Sequence, residues 1–264
     1  MRFGAMVVPS VSDWRMYQEL EEMGYDSAWA PDSQMIYSDC YAVLALAAAN
    51  TSRIKLGTGV AIAPTRLAPV TAHSIASINQ LAPGRTFLAL GTGHTAMRVM
   101  GMDPMKVGKF REYLRVVRAL LHGEEVDFTL DGETRDICFL HQSEGFVNVE
   151  QPVEIHIAAD GPLALKAVGA YGDGRVCSHN QSKAHLQQSL EKIKEGAASV
   201  GRTLPEPFKT TALTYACVLE PGENIVSDRV IDEIGSMALA TLHYWWELYQ
   251  MNGDTSTIAR RCQG

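Results

Sequence analysis

The stretch Ile54-Lys55-Leu56-Gly57-Thr58-Gly59-Val60-Ala61-Ile62-Ala63, closed by Pro64, decides the fold. Its core is almost entirely apolar or small, with none of the alternation of a strand that faces water on one side. Strands buried on both faces read this way, which is the mark of a parallel sheet covered by helices. Towards the N-terminus the spacing predicts a first strand over Arg2–Val8. Ser12-Asp13 offers an N-cap for a helix carrying Met16, Leu20 and Met23, stopped at Gly24. A second strand, Tyr25–Ala30, ends at Pro31, and Asp39 caps a second helix over Tyr41–Ala49. Towards the C-terminus come a helix over Pro69–Leu81, a strand over Thr86–Leu90 ending in Gly91-Thr92-Gly93, an irregular stretch over Gly101–Gly108 and a helix over Phe110–Leu121.

The segment 124–151 breaks the rhythm. Its Asp131-Gly132 pair between short β-like runs predicts an inserted hairpin. The alternation resumes with strands over Val153–Ala159, Gly174–Ser178 and Phe208–Leu219, and helices over Pro162–Tyr171, Ser182–Val200 and Asn224–Gln250. Seven strand–helix units result, which suits either a closed barrel or an open doubly wound sheet. The dinucleotide-binding fingerprint is absent, because Gly91-x-Gly93 lacks its third glycine at Ala96. The reading is therefore a single α/β domain over residues 1–264, a TIM (β/α)8-type barrel. Nothing after Met251 resembles a strand, so the eighth unit is expected to be missing or abbreviated.

Composition narrows the function classes. The 264 residues carry 23 Lys+Arg against 30 Asp+Glu, a formal net charge of −7 with no basic stripe, which argues against nucleic acid as a partner. No apolar run is long enough for a membrane span, and the N-terminal apolar run is too short for a secretory signal. The five cysteines, Cys40, Cys138, Cys177, Cys217 and Cys262, are odd in number and widely spaced; they suit a reduced, cytoplasmic protein. No metal-spaced cluster, paired carboxylates or Ser-His-Asp order supports a hydrolase or a metalloenzyme.

Three blocks carry a resemblance: Gly57-Thr58-Gly59-Val60-Ala61-Ile62-Ala63-Pro64; Leu90-Gly91-Thr92-Gly93; and Ala158 to Leu165 followed by Tyr171-Gly172-Asp173-Gly174. Each ends a predicted strand, and in this order they resemble the bacterial luciferase-like superfamily of flavin- and deazaflavin-dependent oxidoreductases and monooxygenases. Asp32-Ser33-Gln34 and the run Gly93 to Gly101 look most like its methylene-tetrahydromethanopterin-reductase-like branch. The resemblance implies FMN or the deazaflavin coenzyme F-420 as cofactor, a small-molecule substrate and a homodimer. The alternative is a non-catalytic relative that serves as a binding or partner subunit.

The site residues follow from the same blocks. Ala159-Asp160-Gly161-Pro162 opens a helix, whose first turn offers unpaired N–H groups to an anion, with Pro162 suited to the first helical position. The resemblance assigns the cofactor phosphate to this turn; an ordinary strand-to-helix turn is the alternative. Asp160 would repel a phosphate unless it points away. The resemblance also implies a cis peptide at Gly59–Val60 against the cofactor ring, with Ala61 alongside and Thr92 on the neighbouring strand end; a plain barrel strand is the alternative. Ser178 could add a hydroxyl to the phosphate. His94, just beyond its strand, is the candidate acid or base, or a solvated loop histidine. Asp32 either takes part in the chemistry by accepting from the cofactor ring, or accepts from a neighbouring loop as a turn cap. The aromatic run His243-Tyr244-Trp245-Trp246 suits packing against the barrel or a partner subunit better than substrate contact.

Overall fold

The computed structural model describes residues 1–177 and 182–252. Eight parallel strands, two of them successive pieces at one of seven positions, form one curled sheet, a half-barrel wrapped by helices. In chain order the elements are β1 (Gly4–Met6), α1 (Met16–Glu22), β2 (Ser27–Ala30), α2 (Cys40–Asn50), β3 (Lys55–Thr58), β4 (Ala61–Ile62), α3 (Ala68–Leu81), β5 (Thr86–Gly91), α4 (His94–Val99) and α5 (Val107–Leu121). A two-stranded hairpin follows, β6 (Val126–Leu130) and β7 (Glu133–Ile137). The chain then continues through β8 (Glu154–Ala158), α6 (Pro162–Tyr171), β9 (Gly174–Cys177), α7 (Lys183–Ala198), β10 (Lys209–Ala212) and α8 (Asp228–Asn252). The strand order is β1-β2-β3-β5-β8-β9-β10, with β4 continuing β3 alongside β5. Among the described residues β1 and β10 do not pair with each other, so the barrel stays open between them.

Alternating residues explain the layers. Ala28, Ala30, Leu56, Leu88, Leu90, Ile155 and Ile157 are fully or almost fully buried beneath the helices and build the core with Leu44, Ile75, Phe110 and Leu114. The opposite set faces the barrel interior, where the Trp29 and Phe87 rings lie 4.3 Å apart and His156 meets both edge-on at 5.8 and 5.6 Å. Below them Glu154 binds His156, Lys209 and Lys55. The hydrogen bond from His156, then the two ammonium groups, hold the Glu154 carboxyl well below the usual carboxylate range against the opposing effect of burial.

The expected elements are present with shifted limits. Arg2–Val8 shrinks to three paired residues because β1 is an edge strand with a single neighbour. Ser12-Asp13 does not cap α1; the helix begins after Arg15 without a side-chain cap. Asp39 does cap α2, accepting from the N–H groups of Tyr41 and Ala42. Of Phe208–Leu219 only Lys209–Ala212 pairs, on the other open edge. The hairpin is present, and Asp131 and Gly132 both take positive φ, 53° and 85°, as a tight hairpin turn requires. The short helix α4 was not anticipated. It starts where Gly93 turns left-handed at φ 85°.

Candidate active site

The long expected strand Ile54–Ala63 is two strands with a bulge between them. Leu56 and Gly57 stand opposite Thr86 and Phe87, whereas Ala61 and Ile62 stand opposite Leu90 and Gly91. Residues 58–60 therefore face only 88–89, one residue more on this strand than on its neighbour. The Gly59–Val60 peptide is cis. Thr58 repairs the interrupted ladder: its buried hydroxyl donates to the Ala89 carbonyl at 2.6 Å and accepts from the Ala89 N–H at 2.9 Å. The Gly59 N–H donates to Ala30 on the other side.

Glycines make this shape possible. A Cβ on Gly59 would sit 2.8 Å from the Trp29 Cβ, and one on Gly91 would sit 2.9 Å from the Val60 side chain. Only backbone fits where Val60 folds over β5.

Because the strands run parallel, their C-terminal ends share one rim. Asp32 follows β2, Gly59-Val60-Ala61 interrupts the next strand, Thr92 and His94 follow β5, and Ala159 to Pro162 follow β8. Nearly all the site residues expected from the sequence thus stand on one mouth. Ser178 lies outside the described residues. Ala61 and Ala159 are buried, Thr92 is half-buried, and His94 is exposed at the first position of α4.

The turn before α6 is open. Gly161 has ordinary extended backbone, φ −77° and ψ 153°, and no side chain caps the helix. A Cβ added to Gly161 would meet nothing within 4 Å. Asp160 is turned to a partner: its Oδ1 accepts from Arg175 Nη2 at 2.8 Å, while Arg175 Nε donates to the Ala159 carbonyl. Arg175 is 1% exposed, so a buried guanidinium beneath the turn balances the carboxylate that would otherwise oppose an anion.

Asp32 is the most heavily bonded group on the rim. Its Oδ2 accepts from Arg66 Nη1 at 2.6 Å and from the Ile62 N–H at 3.1 Å, and its Oδ1 accepts from Gln34 Nε2 at 2.7 Å. These bonds tie Asp32 to the neighbouring segment that carries Ile62 and Arg66.

Thr58, Arg66 and Arg175 were missed in the sequence. Arg175 carried a usable signal, a lone charge in a strand otherwise fit for burial, which calls for a buried partner. A separate hollow of about 750 Å³ opens at the opposite end, among the C-terminal ends of α5, α6 and α7. Its arginines are already engaged: Arg118 and Arg202 share Asp173, and Arg115 joins Glu112 to Asp127. Among the described residues there is no cluster of three or more potential metal ligands, and no helix is long and apolar enough to cross a membrane.

The family profile described as luciferase-like monooxygenase matches residues 14–260. The chain is 34% identical over 224 residues to a 5,10-methylenetetrahydromethanopterin reductase of Methanolobus tindarius, covering 82% of this chain and 65% of the relative. It is 32% identical over 225 residues to an F420-dependent glucose-6-phosphate dehydrogenase of Kineococcus radiotolerans, covering 80% and 65%. The chain thus spans about two thirds of the length of these curated relatives. Among solved structures, the coenzyme F420-dependent tetrahydromethanopterin reductase of Methanopyrus kandleri superposes with a TM-score of 0.62 at 25% identity, covering 81% of this chain and 65% of that one.

Proposed function

The chain belongs to the luciferase-like monooxygenase family, and from that premise we propose that it is an oxidoreductase that uses the deazaflavin coenzyme to move a hydride to or from a small organic substrate. The observation that carries the choice of cofactor is that relatives at 32–34% identity are named for F420 or for methylenetetrahydromethanopterin reduction. The residues of the mouth fit such a ligand. The space beside Gly161 stands open for a phosphate at the start of α6, with Asp160 drawn aside by Arg175. Across the rim, the Gly59–Val60 turn beside Trp29, with the half-buried Val60 side chain and the backbone leading into Ala61, suits a flat ring.

When bound, the deazaflavin supplies a two-electron hydride carrier without oxygen chemistry. The chain then has three tasks. The first-turn N–H groups of α6 would hold the phosphate. The bulge would face the ring, with Thr92 on the adjoining strand end. His94, exposed at the start of α4, would take or return the proton of the reaction. A cytoplasmic setting suits the unpaired Cys40, Cys138, Cys177 and Cys217. A homodimer suits the exposed Leu239, Leu242 and Trp246 of α8.

Side-by-side titration of the purified protein with deazaflavin and FMN, followed by desalting, tests this reading. The protein is expected to retain deazaflavin at least about tenfold more tightly than FMN, a difference of about 1.4 kcal/mol. Preferential retention of FMN would move the assignment to oxygen transfer. Retention of neither at high micromolar concentration would leave the non-catalytic alternative.

A further inference from the structure

We propose that Arg66, acting through Asp32, is a positioning residue for the ring site, and that Asp32 is part of this clamp and not a proton carrier. The inference rests on the reading that the Gly59–Val60 bulge faces the cofactor. Asp32 lies at the end of β2 with 3% of its side chain exposed. Arg66 grips it with both guanidinium arms, Nη1 to Oδ2 at 2.6 Å and the weaker Nη2 to Oδ1 at 3.4 Å. The same Oδ2 accepts from the N–H of Ile62, the last residue of β4 and only two positions beyond Val60. Oδ1 also accepts from Gln34.

The carboxylate therefore has two donors on each oxygen, filling about the four sites it offers. A base needs a free lone pair aimed at the reacting atom, and protonating Asp32 would break its pair with Arg66. The carboxylate is instead built to hold the far end of the bulge in place.

Arg66 is itself fixed. Its Nη2 donates to Asp39 Oδ2 at 2.8 Å, and its guanidinium lies 4.8 Å over the Tyr41 ring. Asp39 in turn caps α2 through its other oxygen. A continuous path runs from the α2 N-terminus through Asp39, Arg66 and Asp32 to the backbone beside the bulge. On the near side, Thr58 anchors the bulge to β5. A planar, two-armed cation is what this path requires, since one group must serve two carboxylates and a ring face at once.

The experiment measures deazaflavin binding to the whole protein and to Arg66→Met, Arg66→Lys and Arg118→Met. Arg118 is the control: it pairs with Asp173, is about as buried as Arg66, and lies at the far end of the barrel. Arg66→Met is expected to weaken deazaflavin binding about 30-fold and to move the visible band of the bound ring back towards its free position, because a small misplacement of a binding surface costs one to two orders of magnitude. Arg66→Lys is expected to recover part of both, and it decides the matter alone should the methionine variant not fold. Arg118→Met is expected to lower stability while leaving affinity and band unchanged. Wild-type affinity in both Arg66 variants, or an equal loss in Arg118→Met, would overturn the positioning role. A wild-type protein that does not bind deazaflavin would instead refute the reading on which the inference rests.

Discussion

Gly161→Trp is expected to abolish cofactor retention while leaving the fold intact. The backbone at Gly161 is extended at φ −77°, so any side chain is tolerated there. Gly161 is exposed and an added Cβ meets nothing within 4 Å, so the new side chain starts out into open space. Stability should stay within about 0.5 kcal/mol of the parent, as for other surface changes. An anion at this turn would take two or more charge-assisted bonds from backbone N–H groups, each worth about 1.5–3 kcal/mol. Losing them corresponds to a drop in affinity of at least about 100-fold. Gly161→Ala, which reaches only one carbon into the same space, should fall between the two. Equilibrium dialysis with deazaflavin, paired with urea unfolding of each variant, checks both halves. Unchanged retention in Gly161→Trp would remove the phosphate from this turn.

The second large effect concerns the support of that turn. α6 and α7 touch through two glycines. A Cβ on Gly169 would sit 1.8 Å from the Ile193 carbonyl oxygen, and one on Gly196 would sit 2.0 Å from the Lys166 carbonyl oxygen. Both obstacles are backbone, so neither can move aside without parting the helices. Alanine would gain about 1 kcal/mol of helix propensity over glycine at each position. Overpacking against rigid backbone costs about 3 kcal/mol or more and wins. Gly169→Ala and Gly196→Ala are each expected to lose about 2 kcal/mol or more, seen as a lower urea midpoint. The double variant should lose less than the sum, because one separation of the helices makes room for both methyl groups. A single variant as stable as the parent would show that the helices lie farther apart than described.

How much of this was legible in the sequence depended on whether the signal was local. Apolar strand runs and helix caps are written in adjacent residues, so β2, α2, β5 and α6 were placed well, and Asp39 caps α2 as its type and position suggest. The hairpin turn Asp131-Gly132 was likewise readable, since few residues adopt positive φ. The break inside Ile54–Ala63 is not legible in the residues themselves, because Gly59 and Val60 are both ordinary strand residues; only the family resemblance points to it, through the cis peptide. It depends on register against β5, a property of two strands together. The edge strands came out short because their length is set by one neighbour, whatever their own propensity. Arg66 was hidden for a similar reason: its partners lie 34 and 27 residues away. Asp160 is balanced beside the phosphate turn by Arg175, 15 residues later, a pairing that no local pattern announces.

The most direct test of the account is a crystal structure of the protein soaked with deazaflavin. The account predicts a phosphate within hydrogen-bond distance of the backbone N–H groups that open α6, and a ring lying against Gly59, Val60 and Ala61. Clear density for the cofactor anywhere other than this mouth, or a phosphate distant from Gly161 and Pro162, would contradict it.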